Sequence, residues 1–424
     1  MDTIFALSSG RPPAAISVIR VSGPQAHAAG AMIAGTLPEA RTAGVRALRN
    51  PATRELLDEA LVVRFDSPGS ATGEDIVEFQ CHGGRAVVDA VLGALAGAEG
   101  LREAQPGEFT RRAFENGRID LTEAEGLADL LEAETESQRK AALALAEGGL
   151  RKQIGEWQER LLGLSAEAER AIDYDDEDSG VHASFGRECE ALAAELSEWL
   201  SRPRIERLKD GVRVVVAGPP NSGKSSLINA IIGEERAIVT DIAGTTRDHI
   251  DVPVALAGVP MLLTDTAGLR DTEDRVEAIG VARAAALVEA ADVLLWLGEP
   301  TEAPAHEQLI SIHSKADLPS RRDLPSGSIG VSAKTGEGMA TLLGYIVAAA
   351  KSLLPTEDAL ALNRRQAQHL ENAAAALEEA ARAEEPVLAA EALRQARSAF
   401  DRLTGRAGVE DVLDALFGRF CLGK

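Results

Sequence analysis

The chain of 424 residues is poor in several things, and each shortage narrows the reading. Cysteine occurs three times, at Cys81, Cys189 and Cys421. So sparse and odd a set argues against a disulfide framework or a zinc site and for a reducing, cytoplasmic setting. No apolar run approaches the length of a membrane span, so nothing suggests membrane insertion. The opening residues Met1-Asp2-Thr3-Ile4-Phe5 lack the basic region of a secretory signal. Positive charge is also short, leaving a formal net charge of −23. A protein whose main task is gripping nucleic acid is usually basic. If RNA is a substrate, a local basic patch or a partner must supply much of the attraction. The charge by itself describes a soluble acidic protein. The length fits about two to four domains, each able to bury its own core.

What the chain does have is a phosphate-binding loop, Gly218-Pro219-Pro220-Asn221-Ser222-Gly223-Lys224-Ser225-Ser226. It follows an apolar β-branched run, Val212 to Ala217, and precedes Leu227 to Ile232, which continues as a helix. Strand, glycine loop and helix form the context in which G-x-x-x-x-G-K-[ST] carries meaning. Glycines let successive backbone N–H groups turn toward phosphate oxygens. The helix start adds partial positive charge, Lys224 a full one, and the Ser225 hydroxyl is placed for Mg²⁺. The plainer reading is a β–α turn rich in small residues.

Residues 1–117 read as an α/β domain. Strands are expected at Ile16–Val21, Leu61–Phe65 and Ile76–His82, with a small-residue helix at about Ala86–Ala96. Period-two geometry puts Val77, Phe79 and Cys81 on one face of the third strand, and Glu78, Gln80 and His82 on the other. That polar face, ending at Gly83-Gly84, lines a ligand pocket or is a solvated sheet face. His82 alone reads as a turn residue. Residues 118–210 turn helical. Thr122-Glu123-Ala124-Glu125 has the capping-box pattern. Leu150, Ile154, Trp157, Leu161, Leu164, Ala168 and Ile172 form a seam for bundle packing. The seam stops in Asp173 to Gly180, whose acidic run is either a solvated turn or a cation site. A further helix covers about Ser184–Leu200. Residues 211–350 alternate strands and helices as a nucleotide domain. In residues 351–424 the helical texture returns, with a seam of Leu370, Ala374, Leu377 and Ala381 and helices at Val387–Leu403 and Val409–Phe420. One helical bundle with the nucleotide domain inserted is the simplest arrangement; two unrelated bundles are the alternative.

Downstream motifs turn the phosphate loop into a GTPase site. Thr240-Asp241-Ile242-Ala243-Gly244-Thr245-Thr246 can close over a γ-phosphate, with Thr246 giving Mg²⁺ a second hydroxyl. Asp265-Thr266-Ala267-Gly268 ends a strand, its Asp reaching Mg²⁺ through water and its Gly N–H meeting the γ-phosphate. Ser314-Lys315-Ala316-Asp317 stands where GTPases carry Asn-Lys-x-Asp. Asp317 accepts from the two guanine donors that adenine lacks, so GTP is favoured over ATP. Ser314 in place of Asn predicts weakened affinity with guanine preference kept. Ser332-Ala333-Lys334 completes the base pocket. Leu269 stands where Ras-like GTPases place the glutamine that orients the attacking water. Leucine cannot do that, so another group must align water and another positive charge must offset the transition state.

Taken together, the chain resembles the MnmE (TrmE) family of tRNA-modification GTPases along its whole length. The carrying residues are Val18-Ile19-Arg20-Val21-Ser22-Gly23, Thr72-Gly73-Glu74-Asp75, Gln80-Cys81-His82-Gly83-Gly84, Pro106 to Phe114, the GTPase set, and Phe420-Cys421-Leu422-Gly423-Lys424. Ribosome-assembly GTPases, regulatory switches without one-carbon chemistry, share only the central motifs. The resemblance implies a multidomain α/β fold: an N-terminal folate-binding domain that dimerises, and a central helical bundle carrying an inserted Ras-like, doubly wound P-loop GTPase domain. Arg20, Glu78, Arg118 and Lys424 would contact 5-formyltetrahydrofolate, although the family usually has Lys where this chain has Arg118. The glycine-rich segment at Gly10-Arg11-Pro12-Pro13 is also altered. Cys421 is a candidate reactive thiol or a packed terminal cysteine.

The resemblance also implies K⁺ in place of an arginine finger, bound by Asn221, Thr240, Ile242 and Thr245, with Glu277 orienting water and two GTPase domains of a homodimer completing each other's sites. Its partners would be tRNA and the flavoprotein MnmG (GidA), which uses FAD and NADH. The product would be a carboxymethylaminomethyl-type group at carbon 5 of the wobble uridine.

Overall fold

The structure, a computed structural model, describes residues 2–173, 183–233, 237–239, 251–266, 285–321, 323–355, 360–407, 410–420 and 423. The chain forms two compact units. One comprises Met1–Ala128, Leu145–Glu156 and Phe400–Lys424; the other comprises Asp129–Ala144 and Trp157–Ala399.

The first unit is built on a six-stranded sheet of order β3-β4-β5-β2-β1-β6. The strands are β1 (Thr3–Leu7), β2 (Ile16–Ser22), β3 (Ala43–Arg49), β4 (Leu56–Phe65), β5 (Ile76–His82) and β6 (Leu101–Glu103). Neighbours are antiparallel except β1 and β6, which run parallel. Alternation along the strands divides the faces as period two requires. Phe5, Ile19, Val21, Val77, Phe79 and Cys81 pack into one core with Val88 and Val91 of α2 (Arg85–Ala96) and Ala29 and Ile33 of α1 (Ala26–Ala34). Ile4 and Ala6 join a second cluster with Phe109 of α3 (Glu108–Glu115). Glu78 and Gln80 are half-buried and His82 is exposed. The expected capping box lies two residues earlier than the sequence pattern placed it. Asp120 caps α4 (Leu121–Glu132): its carboxylate accepts from the Glu123 N–H at 2.9 Å, and the Glu123 side chain accepts from the Asp120 N–H at 2.7 Å. Thr122, fully buried, donates to the Asp120 carboxylate instead of capping. Leu121 and Ala124 of α4 pack on Leu413, Leu416 and Phe417 of the helix Glu410–Phe417.

The second unit carries a seven-stranded sheet of order β13-β12-β11-β7-β10-β9-β8. Its strands are β7 (Val212–Ala217), β8 (Ala237–Val239), β9 (Asp251–Leu256), β10 (Val259–Asp265), β11 (Val293–Trp296), β12 (Leu309–Ser314) and β13 (Ile329–Val331). From β13 to β10 every pair is parallel; β9 and β8 follow antiparallel. The central strand β7 is a nearly unbroken apolar run because both its faces are covered, as parallel sheets require.

The further helices are α5 (Glu136–Ala146), α6 (Gly149–Asp173), α7 (Ala183–Ser201), α8 (Glu206–Asp210), α9 (Lys224–Ile232), α10 (Met339–Leu353), α11 (Arg364–Arg382) and α12 (Pro386–Thr404). The α6 seam is buried from Leu150 through Ala168, but Ile172 is 41% exposed at its end. Trp157 packs edge-on to Trp199 of α7 at 5.3 Å and donates to Glu195 at 2.8 Å. Helix α7, before the nucleotide sheet in sequence, packs along α11, which follows it. The α11 seam runs through Ala367, Leu370, Ala374, Leu377 and Ala380. Ala381, expected in that seam, sits at its half-buried edge.

Candidate functional site

All the described nucleotide motifs sit at the carboxyl ends of parallel strands, where β7 is flanked by β10 on one side and β11 on the other. That is where open parallel sheets place ligands. The phosphate loop leaves β7 and enters α9 through Gly223, whose φ of +99° belongs to the left-handed region that glycine enters without steric cost. Asn221 also has a positive φ, 59°, a conformation its short polar side chain tolerates. Lys224 is buried and donates across the loop to the carbonyls of Gly218 at 3.1 Å and Pro219 at 3.0 Å. Ser225 and Ser226 are exposed at the helix start.

The strand-end acid lies where the sequence reading needs it. The Ser225 hydroxyl donates to Asp265 Oδ2 at 2.7 Å, joining the first turn of α9 to the end of β10. These are hard oxygen donors of the kind Mg²⁺ prefers, so the pair fits that ion. Thr266 is tied back to β7, donating through its hydroxyl to the Val216 carbonyl at 3.0 Å.

The base-reading segment is fastened directly to the phosphate loop. At the end of β12 the buried Ser314 hydroxyl donates to the Ser222 carbonyl at 2.6 Å. Next to it Lys315 Nζ donates to the Asn221 carbonyl at 2.8 Å. Asp317 accepts from the buried Ser332 hydroxyl at 2.7 Å. Ser332 Oγ in turn accepts from the Thr335 N–H at 3.2 Å, while Ala333 and Lys334 are exposed. The sequence reading treated Ser314 as the loss of a brace. The structure gives it a brace of its own, which spacing alone could not reveal because its acceptor lies 92 residues away.

On the N-terminal sheet, Arg20 and Glu78 are direct partners across β2 and β5. Arg20 Nε donates to Glu78 Oε1 at 2.8 Å, and its guanidinium stands 5.6 Å over the Phe109 ring. A Cβ built on Gly73 would meet the Arg118 side chain at 3.1 Å. His82 is held by Asp58, which accepts from its backbone N–H at 2.8 Å and meets its Nδ1 at 2.7 Å. Gly83 is glycine for a local reason, since a Cβ there would strike the Ala14 carbonyl at 2.2 Å. Burial, reinforced by Asp58, pushes the Cys81 thiol up to about 12 and leaves it inert.

The structure also contains an ionic cluster that the sequence reading missed. Arg112, 6% exposed, donates to both Glu74 carboxylate oxygens at 3.1 and 3.2 Å, to Asp2 Oδ1 at 2.7 Å and to Glu108 Oε1 at 3.1 Å. Ser22 donates to Glu74 at 2.7 Å. Arg102 grips Glu108 with both terminal nitrogens, at 2.8 and 2.5 Å. Three stretches that carried the family resemblance, around Ser22, Glu74 and Arg112, thus meet in one buried cluster. Nothing in the local sequence signals the meeting, since Glu74 is flanked by Gly73 and Asp75 and Arg112 by Arg111. Thr240 to Thr246, Ala267, Gly268, Leu269, Glu277, Cys421 and Lys424 lie outside the described residues.

A phosphate loop on a parallel sheet, a strand-end Asp beside its serine, and a base-reading Asp define the class: a P-loop GTPase. The N-terminal family description, GTP-binding protein TrmE N-terminus, matches residues 3–118, and the MnmE helical domain matches residues 121–421. Proteins named tRNA modification GTPase MnmE align along the full length. The one from Erythrobacter litoralis is 53% identical over 427 residues, covering 100% of each chain. Those from Novosphingobium aromaticivorans and Zymomonas mobilis are 52% and 50% identical, again covering 100% of each chain. The chain belongs to the MnmE family of tRNA modification GTPases. Among solved structures, the G domain of the T. maritima FeoB iron transporter matches 33% of this chain and 98% of its own at 24% identity, with a TM-score of 0.24. No described helix is long and apolar enough to cross a membrane.

Proposed function

We propose that this GTPase couples GTP hydrolysis to modification of the wobble uridine (U34) of tRNA at carbon 5. The added group is of the carboxymethylaminomethyl type, and its one-carbon unit comes from 5-formyltetrahydrofolate. A flavoprotein partner of the MnmG (GidA) kind, using FAD and NADH, shares the reaction, and the chain works as a homodimer. In this reading residues 211–350 are the GTPase domain, residues 1–117 the folate and dimerisation domain, and residues 118–210 and 351–424 the helical segments around the inserted domain.

The observation that carries this reading is the fastening of Ser314 and Lys315 to the carbonyls of Ser222 and Asn221. It makes base recognition and phosphate binding one rigid unit, and it belongs to a chain aligned end to end with MnmE proteins. Lys224 and the α9 start hold the phosphates, Asp317 selects guanine, and Ser225 with Asp265 and Thr246 holds Mg²⁺, which screens phosphate charge when bound. The Arg20–Glu78 pair beside Phe109 suits a flat, polar heterocycle with both donors and acceptors. Lys424 and Arg118 are further folate contacts in the proposal, and Cys421 is its candidate reactive thiol.

Asn221 lies at the mouth of the loop with its side chain exposed, which suits an oxygen ligand for K⁺ beside Thr240, Ile242 and Thr245. Positive charge there replaces the missing arginine finger. Glu277 orients water in the role that Leu269 cannot fill. Hydrolysis is therefore expected to be at least about tenfold faster in K⁺ than in Na⁺, a difference of about 1.4 kcal/mol in barrier. Glu277→Ala should lose turnover and keep GTP binding. Equal rates in the two salts would overturn the cation assignment.

A further inference from the structure

A chain with a net charge of −23 repels RNA over most of its surface, so any place where arginines gather stands out. Such a place lies around a cleft of about 470 Å³ between the end of α7, the link to α8, and the start of α11. Four arginines line it, Arg202, Arg204, Arg207 and Arg364, against two glutamates, Glu206 and Glu371. All lie within the second unit.

The two glutamates are engaged. Glu206 accepts the Arg364 backbone N–H at 2.5 Å, and Glu371 meets Arg204 at 3.5 Å. Among the described residues Arg204 makes only that long contact, and its Nη1 is buried without a hydrogen-bond partner there. Arg207 pairs with Asp292 at 2.9 Å. Arg202 meets Glu198 at 3.5 Å and lies 4.1 Å over the Trp199 ring, which holds the guanidinium in a fixed orientation. The Arg364 side chain is exposed and has no ion-pair partner among the described residues. It is the first residue of α11, a 19-residue helix whose N-terminus adds partial positive charge to the cleft.

Planar guanidinium forks on rigid supports around a helix start are suited to the paired oxygens of a phosphodiester. We infer that this arginine cleft is an RNA-backbone site that holds the phosphates of the tRNA substrate and tethers the tRNA to this chain as well as to its partner. The inference rests on the proposed action on tRNA. Backbone contacts of this kind position RNA without reading its sequence. An acidic protein surface is the competing occupant, but it lacks the regular spacing of charge that several forks can engage together.

The test is binding of a full-length tRNA transcript to the full chain across a salt series, comparing wild type with the R202A/R364A double variant. Both side chains are at least partly exposed, and neither belongs to the GTP site, so GTP hydrolysis by the same preparations should be unchanged. The double variant is expected to bind tRNA at least about tenfold more weakly, with a salt slope shallower by about one to two. A control pair on β3, R46A/R49A, should bind as wild type does. Equal affinity and slope in wild type and R202A/R364A would overturn the inference. So would a wild-type chain that does not retain tRNA at low salt, or an R202A/R364A defect confined to association with an acidic protein. Normal GTP turnover in those cases would leave the GTPase reading standing while the cleft assignment falls.

Discussion

Ser314 occupies the position where a base-reading asparagine is expected, and its hydroxyl reaches back 2.6 Å to the phosphate loop at Ser222. Removing that bond leaves the buried Ser222 carbonyl without its hydroxyl donor, which costs about 1 kcal/mol. Ser314→Ala should therefore weaken GTP binding about fivefold while GTP remains preferred to ATP, as read by nucleotide titration. Unchanged affinity would show that the brace contributes nothing.

At the same scale, Glu108 carries a pH signature. Burial works against its charge, but hydrogen bonds from Arg102, the Gln105 N–H and Arg112 outweigh this and hold the carboxyl below the ordinary glutamate value of 4.5. A depressed folded-state value means that the stabilisation is complete above the unfolded value and is lost as pH falls through the folded one. Thermal melts should show the first unit weakening below about pH 4.5, and Arg102→Ala should flatten that dependence. A melt profile that Arg102→Ala leaves unaltered would remove Glu108 from the account.

The phosphate loop was legible at the residue scale because its chemistry is local: Gly223, Lys224 and Ser225 are neighbours in sequence. The pair of Glu74 and Arg112 was not, because its partners are 38 residues apart and nothing in their spacing says that they meet.

Among elements, the helices were the most readable. The period of Leu150, Ile154, Trp157, Leu161, Leu164 and Ala168 marks a buried stripe, and each of these residues is 4% exposed or less. The stripe fails at Ile172, one residue before the described end of the helix, where the side chain is 41% exposed. Short sheet elements were harder. Strand β1 spans five residues, and α1 has too many small residues for a clear amphipathic face, so neither stands out as a pattern. The capping box was displaced because Asp120, an equally good cap, precedes the hydroxyl that the pattern picked out.

Trp157 is the most consequential side chain of the α6 stripe. It is fully buried, stacks edge-on with Trp199 and bonds to Glu195. Trp157→Ala should destabilise the chain by about 3–5 kcal/mol in chemical denaturation. Trp157→Phe keeps most of the volume and should cost less, while leaving Glu195 without its indole donor. A Trp157→Ala loss below about 1 kcal/mol would mean that the helices do not rely on this contact.

For the molecule as a whole, the sequence and the comparisons agree on a GTPase assembled with a TrmE-type N-terminal sheet and an MnmE-type helical domain. Work on tRNA against the strong negative charge calls for a local basic patch or a partner, and the arginines around the cleft of Arg202 and Arg364 are the proposed patch. The central claim is that GTP turnover at the Lys224 site drives a change at carbon 5 of the wobble uridine. The most direct measurement is mass spectrometry of nucleosides from tRNA of cells in which this chain replaces their own counterpart. Wild type should restore the carboxymethylaminomethyl-type nucleoside at position 34, and Lys224→Ala should leave the position unmodified. Unmodified uridine with the wild-type chain, or full modification with Lys224→Ala, would contradict the account.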